Sequence, residues 1–181
     1  APGSKKKSSK DENNCHIENI PACLDKPGEW IISSELGKIY YWPKSGAPGE
    51  TIIAPLLTEL VRVEGHNTEM LEGDKPARGI TFRGITFQYN DRAPLLDSDK
   101  AGLHEWIYVD KGNALLRFRG AENCRVENCT FKYGYVALRF DNYAQNNTVT
   151  GNDISRCARA GVVFAGYGPG LKDVNKNNLI E

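Results

Sequence analysis

Asp141 is the residue whose setting most invites chemistry. It ends the run Ala137-Leu138-Arg139-Phe140-Asp141, and two earlier segments of the same pattern carry Arg62, Arg117 and Arg119. Guanidinium groups nearby lower the pKa of a carboxylate, so Asp141 is expected to stay ionised. An ionised carboxylate can attack as a nucleophile or accept a proton, but it is a poor general acid. Hydrolysis of a glycosidic bond takes two carboxyl groups, roughly 5–9.5 Å apart according to mechanism. The second is sought on the long segment 88–113, which carries Asp91, Asp97, Asp99, Glu105 and Asp110. Asp173 and further sequence are other sources, and Asp91 is the candidate partner. A plainer explanation stands beside this one, in which an Arg–Asp ladder neutralises itself on the surface.

His104 and Trp106 lie two apart on the same long segment. Aromatic rings on loops above a polar groove are what sugar rings stack on, although Trp106 could equally cover the fold as packing. Tyr167, on the shorter insert 167–173, is grouped with them as a substrate-binding candidate. The column of Arg62, Arg117 and Arg139 would suit an acidic sugar, with Arg117 and Arg139 nearest to Asp141. His16 and His66 have no partners in the pattern. No clustered His, Cys and carboxylate spacing appears, so neither a metal site nor a cofactor is expected, apart from a calcium ion in loop carboxylates.

These residues must be held by something regular, and the chain repeats itself. Leu60-Val61-Arg62-Val63-Glu64-Gly65 aligns with Leu115-Leu116-Arg117-Phe118-Arg119-Gly120 and with Ala137-Leu138-Arg139-Phe140-Asp141-Asn142. Apolar residues alternate with charges, the period-two signature of a strand with one buried face. Val162-Val163-Phe164-Ala165-Gly166 is a weaker fourth copy. A second strand follows each first one: Gly79–Phe87 aligns with Asn123–Phe131 and Asn146–Ile154, with Gly84, Asn128 and Gly151 coinciding. All three tolerate the left-handed backbone of a tight corner. A unit of 22–24 residues built from strand, corner, strand and loop predicts a solenoid whose rungs stack at about 4.8 Å. A sandwich is the rival, but it does not explain in-register self-similarity. Cys124 and Cys129 share columns with Ile80 and Ile85, which predicts buried free thiols.

Residues 1–15 read as a flexible basic tail, and residues 16–58 as an inserted subdomain. Its Glu29-Trp30-Ile31-Ile32 and Lys38-Ile39-Tyr40-Tyr41-Trp42 predict an aromatic-rich β-hairpin, with Trp30, Tyr40, Tyr41 and Trp42 as its core. Residues 59–181 are the coils. The sequence ends on Asn178-Leu179-Ile180-Glu181, within a second strand. A bare coil edge is an aggregation hazard, so a fragment is expected, with other chains or missing segments covering the solenoid ends.

Lys and Arg together number 23, as do Asp and Glu, so the formal net charge is zero and a nucleic-acid partner has no global electrostatic support. No stretch is long and apolar enough to span a bilayer. The sequons Asn128-Cys129-Thr130 and Asn146-Asn147-Thr148 lean towards a secreted or extracellular glycoprotein.

Several stretches together resemble one family. They are Pro27-Gly28-Glu29-Trp30 with Tyr40-Tyr41-Trp42-Pro43, then Asn113–Cys124, Ala137–Asp141, Gln145-Asn146-Asn147 and Gly166–Asn175. The chain is similar to the right-handed parallel β-helix repeat proteins, whose characterised relatives include xylosidase- and fucosidase-type glycoside hydrolases. The resemblance implies an all-β, right-handed parallel β-helix and a polysaccharide or glycan as partner. It also implies glycosidic hydrolysis in a groove along the coil face. The alternatives are a non-catalytic structural or carbohydrate-binding solenoid and a lyase acting on an acidic sugar.

Overall fold

The computed structural model of the protein describes residues 20–49, 52–66, 73–92, 114–167 and 171–181. The tail 1–15 and most of the long segment, with His104 and Trp106, lie outside the described residues. The chain divides into two compact units, residues 1–52 and 53–181. Among the described residues there is no α-helix, and none is a helix long and apolar enough to cross a membrane.

The first unit contains a 3₁₀ turn, Pro21–Cys23, and an antiparallel hairpin of β1 (Trp30–Ser33) and β2 (Lys38–Tyr41). Glu29 sets its entry: its carboxylate accepts hydrogen bonds from the Asp25 and Lys26 N–H groups, both 2.9 Å, while Gly28 takes φ +100°. The expectation of an aromatic core is corrected here. Trp30 faces Tyr41 and Ile32 faces Ile39 on one side of the hairpin, and that side is open, with Trp30 58% exposed. Ile31, on the other side, is the buried residue. A single hairpin has two faces, and the described part of this unit covers only one of them.

The second unit is built from parallel strands in three sheets. Its strands are β3 (Glu59–Glu64), β4 (Ala77–Arg78), β5 (Thr81–Arg83), β6 (Thr86–Gln88), β7 (Ala114–Glu122), β8 (Arg125–Glu127) and β9 (Thr130–Lys132). After these come β10 (Val136–Gln145), β11 (Thr148–Thr150), β12 (Asp153–Ser155), β13 (Ala160–Ala165), β14 (Asn175–Lys176) and β15 (Leu179–Ile180). The sheets run β13-β10-β7-β3, β15-β11-β8-β5 and β12-β9-β6, with β14 on β10 and β4 on β7. None closes into a barrel. Each rung supplies one strand or strand pair to successive sheets, an arrangement compatible with a solenoid.

Register follows the sequence alignment. Val61, Leu116, Leu138 and Val162 are neighbours, as are Val63, Phe118, Phe140 and Phe164. Phe118 stacks on Phe140 at 4.7 Å between centroids, and Phe140 on Phe164 at 4.5 Å. Phe87 stacks on Phe131 at 5.0 Å. Together with Val126, Val149, Cys124 and Cys129 they fill one interior. Cys124 and Cys129 are buried free thiols, and burial pushes the Cys124 thiol up from its ordinary pKa.

Corners between strands fall in three columns of positive φ. Gly79, Asn123, Asn146 and Asn177 form the first; Gly84, Asn128 and Gly151 the second; Tyr89, Tyr133 and Arg156 the third. Asparagines after two of these corners tie rungs together. Asn147 accepts the Cys124 N–H at 2.9 Å and donates to the Ala121 carbonyl at 3.1 Å and to Asn178 Oδ1 at 3.0 Å. Asn152 does the same one corner later, accepting the Cys129 N–H and donating to the Val126 carbonyl.

In the two middle rungs the first strand runs unbroken as β7 and β10. In the outer rungs it is interrupted: β3 ends at Glu64 and β4 begins at Ala77, while β13 ends at Ala165 and β14 begins at Asn175. Gly65 is required at the first exit, because a Cβ there would stand 2.6 Å from the Lys75 carbonyl oxygen.

Asn147→Ala leaves the Cys124 N–H and the Ala121 carbonyl without their side-chain partner inside the stack. It is expected to cost about 1–3 kcal/mol for each buried group left unsatisfied, read as a lower urea midpoint at unchanged m-value.

Candidate functional site

The residues singled out by sequence meet on the outward side of β3, β7 and β10. Arg62, Arg117 and Arg139 are lateral neighbours, and so are Glu64, Arg119 and Asp141. Both columns point away from the interior, as alternation requires. Only their outer members lie on the surface, Arg62 and Glu64 among them, and the picture of an exposed ladder is corrected for the rest: Arg117, Arg139 and Asp141 are 7%, 3% and 5% exposed. Alternation decides which side of a sheet a residue occupies; it does not decide what covers that side.

Burial demands that these charges be paired. Arg117 Nε donates to Asp141 Oδ2 at 2.5 Å and Arg139 Nε to Asp141 Oδ1 at 2.6 Å, so both oxygens of Asp141 are engaged. Arg117 Nη1 reaches Glu59 Oε1 at 2.6 Å, and Arg62 Nε reaches Glu59 Oε2 at 2.5 Å. Arg119 pairs with Glu64 beside this chain. The result is an ordered sequence Arg62–Glu59–Arg117–Asp141–Arg139 across three rungs. For Glu59, burial alone raises the carboxyl pKa, but hydrogen bonds and charges from Arg62 and Arg117 outweigh it and hold it below the ordinary value.

Glu59 is the carboxylate that sequence reasoning missed. It shares strand parity with the interior residues Val61 and Val63, so alternation assigned it no outward role. The signal was available: a charge at an inward position just ahead of an apolar alternation has to find a buried partner. One guanidinium bridges the Glu59 and Asp141 carboxylates and keeps them no more than roughly 8 Å apart.

Asp91 is not brought to Asp141. Its N–H donates to the Leu57 carbonyl at 2.8 Å, ahead of β3, whereas Asp141 lies beside Arg119 and Glu64 at the far end of these strands. Asn90 next to it is structural: its side chain donates to the Thr58 carbonyl and accepts the Tyr135 N–H at 2.9 Å.

Tyr167 is placed elsewhere again. It is buried, its hydroxyl donating to Asp74 Oδ1 at 2.6 Å while Lys172 Nζ bonds Asp74 Oδ2 at 2.9 Å and lies 4.9 Å from the Tyr167 ring centre. This cluster ties the insert of the first rung to that of the fourth. A ring so enclosed offers no face for a sugar. Close by, burial and then the Glu122 charge raise the Tyr143 pKa, so that phenol stays neutral. Among the described residues no group of three or more His, Cys, Asp or Glu gathers as a metal site.

No protein-family model, no curated protein and no solved structure matches the chain.

Two variants read the cluster. Asp141→Asn removes the charge that two buried guanidiniums share and is expected to cost about 3–5 kcal/mol, whereas Asp153→Asn, which breaks only the exposed contact with Lys132, costs about 0–1 kcal/mol. The depressed pKa of Glu59 gives stability that is present above its unfolded value near 4.5 and lost as pH falls through the folded value. Glu59→Gln should therefore flatten the acid limb of a stability–pH profile between pH 7 and the acid transition.

Proposed function

We propose that this chain is a right-handed parallel β-helix that binds a polysaccharide or glycan outside the cell and does not itself cleave it. The observation carrying the proposal is the regular parallel stack, in which equivalent positions recur rung after rung at about 4.8 Å. Such a surface suits a polymer of repeated units better than a compact ligand. The extracellular setting is supported by the two sequon asparagines, Asn128 and Asn146, which are exposed at corners. Binding is preferred to catalysis because the best-placed carboxylate, Asp141, is buried with both oxygens held by arginines. The same pairing argues against a lyase, since Arg117 and Arg139 are committed to carboxylates rather than free to abstract a proton.

One observation favours hydrolysis as a second reading: Glu59 and Asp141, two carboxylates of the kind such chemistry uses, are brought together on Arg117. A panel of neutral and acidic polysaccharides separates the two. The expected outcome is retardation of the chain in an affinity gel by at least one polysaccharide, without release of reducing ends on incubation. Reducing ends that appear with the wild type and vanish in both Asp141→Asn and Glu59→Gln would establish hydrolysis instead. If no member of the panel is bound or cleaved, both are wrong.

A further inference from the structure

The hairpin of the first unit has two faces of opposite character. Antiparallel pairing sets Trp30 opposite Tyr41 and Ile32 opposite Ile39, so these four side chains share one face. All four are open: Trp30 is 58% exposed, Ile32 42%, Ile39 61% and Tyr41 43%. No strand residue on that face is charged. Lys38 lies opposite Ser33 on the other face, which it shares with Tyr40 and the buried Ile31. Single exposed apolar residues are ordinary, but a contiguous apolar patch marks a surface that meets something.

The face is held ready by backbone bonds. The Gly28 N–H donates to the Trp42 carbonyl at 2.7 Å and the Trp42 N–H to the Glu29 carbonyl at 2.9 Å, which carries the ladder one pair beyond the strands. At the other end Ser33 Oγ accepts the Leu36 N–H at 3.3 Å across the turn. Chemistry then narrows the occupant. Only the Trp30 indole N–H and the Tyr41 hydroxyl can hydrogen-bond on this face, whereas a sugar needs several convergent polar groups. A second copy of the chain would need about 800 Å² from each partner for a standard interface, and four side chains, each roughly half exposed, present far less. A lipid bilayer makes neither demand. Inserted apolar area contributes in proportion, without shape complementarity. Trp and Tyr are the side chains that suit its interface best, with the ring at the acyl boundary and the polar atom among headgroups.

We propose that this hairpin face docks on the surface of a lipid bilayer. Ile32 and Ile39 enter the acyl boundary, with Trp30 and Tyr41 beside them at headgroup level. Lys38, on the opposite face, and Glu35, in the turn, stay in water, so the hairpin lies flat and does not enter end-on. Its strands have four residues each, too few to span the hydrocarbon, which takes about 9–11. Because the docking face is uncharged, anionic lipids add little to its attachment. The docking surface is separate from the glycan-binding function proposed above and does not rest on it.

The test is co-sedimentation of the whole chain with phosphatidylcholine vesicles, with and without phosphatidylserine, beside tryptophan emission spectra and thermal melts. The wild type should partition onto phosphatidylcholine alone, stay bound as salt rises, and shift its tryptophan emission to the blue. Trp30→Thr/Tyr41→Thr should weaken partitioning by about tenfold or more at an unchanged melting temperature, because threonine suits an exposed strand position. Lys38→Gln, on the other face, should leave partitioning as it is. Absence of partitioning, or undiminished partitioning by the double variant, overturns the proposal. So does partitioning that requires phosphatidylserine and is released by salt, since the attachment is then made by charge elsewhere in the chain. If the double variant melts lower, Ile39→Thr, at the most exposed position of the four, decides by the same tenfold criterion. A lipid-free dimer that the double variant dissociates, with no vesicle binding, gives the face to a second copy. Retention in a polysaccharide gel that the double variant loses, again with no vesicle binding, gives it to a glycan. Vesicles and polysaccharides are measured separately, so failure on lipid leaves the glycan-binding function standing, and failure on glycan leaves the docking face.

Discussion

Everything in the second unit depends on turning the chain without breaking the parallel ladders. A strand of three residues, such as β5 or β8, leaves no room for a gradual bend, so each corner is made by one residue at positive φ. Because the rungs are in register, these residues fall into columns, and the residue after each corner falls into a column too. That second position points into the bend, where backbone N–H and C=O groups would otherwise lack partners. Asn147, Asn152 and Asn178 satisfy them by bonding up and down the stack. Buried amides are costly when unpaired, so the asparagines fix register more sharply than the apolar columns, which would tolerate a slip among similar side chains.

The interior follows from that register. Phe118, Phe140 and Phe164 lie nearly parallel because equivalent residues of parallel strands share backbone geometry and so share rotamers. On the outer face the same stacking has a different consequence. Arginines are brought over arginines, Arg62 beside Arg117 beside Arg139, which is unfavourable unless carboxylates intervene. Glu59 and Asp141 intervene diagonally, each between two guanidiniums. Asp141 immediately precedes a β-bulge in β10, where the register against β7 shifts before Ala144 and Asn142 takes φ 64°. The bulge ends the stacked charges and lets the strand enter its corner.

How much of this the sequence carries depends on whether the cause is local. The alternation at Val61/Val63, Leu116/Phe118 and Leu138/Phe140 is local, and it located the strands, their pairing and their inward faces. Gly84, Asn128 and Gly151 announced the second corner because these residue types advertise positive φ. Tyr89, Tyr133 and Arg156 announce nothing of the kind, so the third corner was invisible. Glu59 was hidden by its parity, and the burial of Asp141 by the fact that covering of a sheet face is decided elsewhere in the chain. Tyr167 looked like a loop aromatic open to ligand. Its partner, Asp74, is 93 residues away, and no spacing rule links them.

The ionic cluster and the tyrosine–aspartate clasp share a mechanical role that neither reveals alone. Burial is deepest in the middle strands, where Leu116, Phe118, Leu138 and Phe140 are enclosed, and lighter in Val61, Val162 and Phe164 of the outer rungs. In a stack where each rung touches only its neighbours, the outer rungs open most readily. Glu59 fastens the first rung to the second through Arg117, and Arg117 fastens the second to the third through Asp141. Asp74, on the insert of the first rung, meets Tyr167 and Lys172 of the fourth and bridges past both middle rungs. Polar contacts thus reach the outer rungs, where apolar burial is weakest, as well as joining the two middle ones. This accounts for a carboxylate pair that is closed off by arginines: its position is set by the need to hold the first three rungs together.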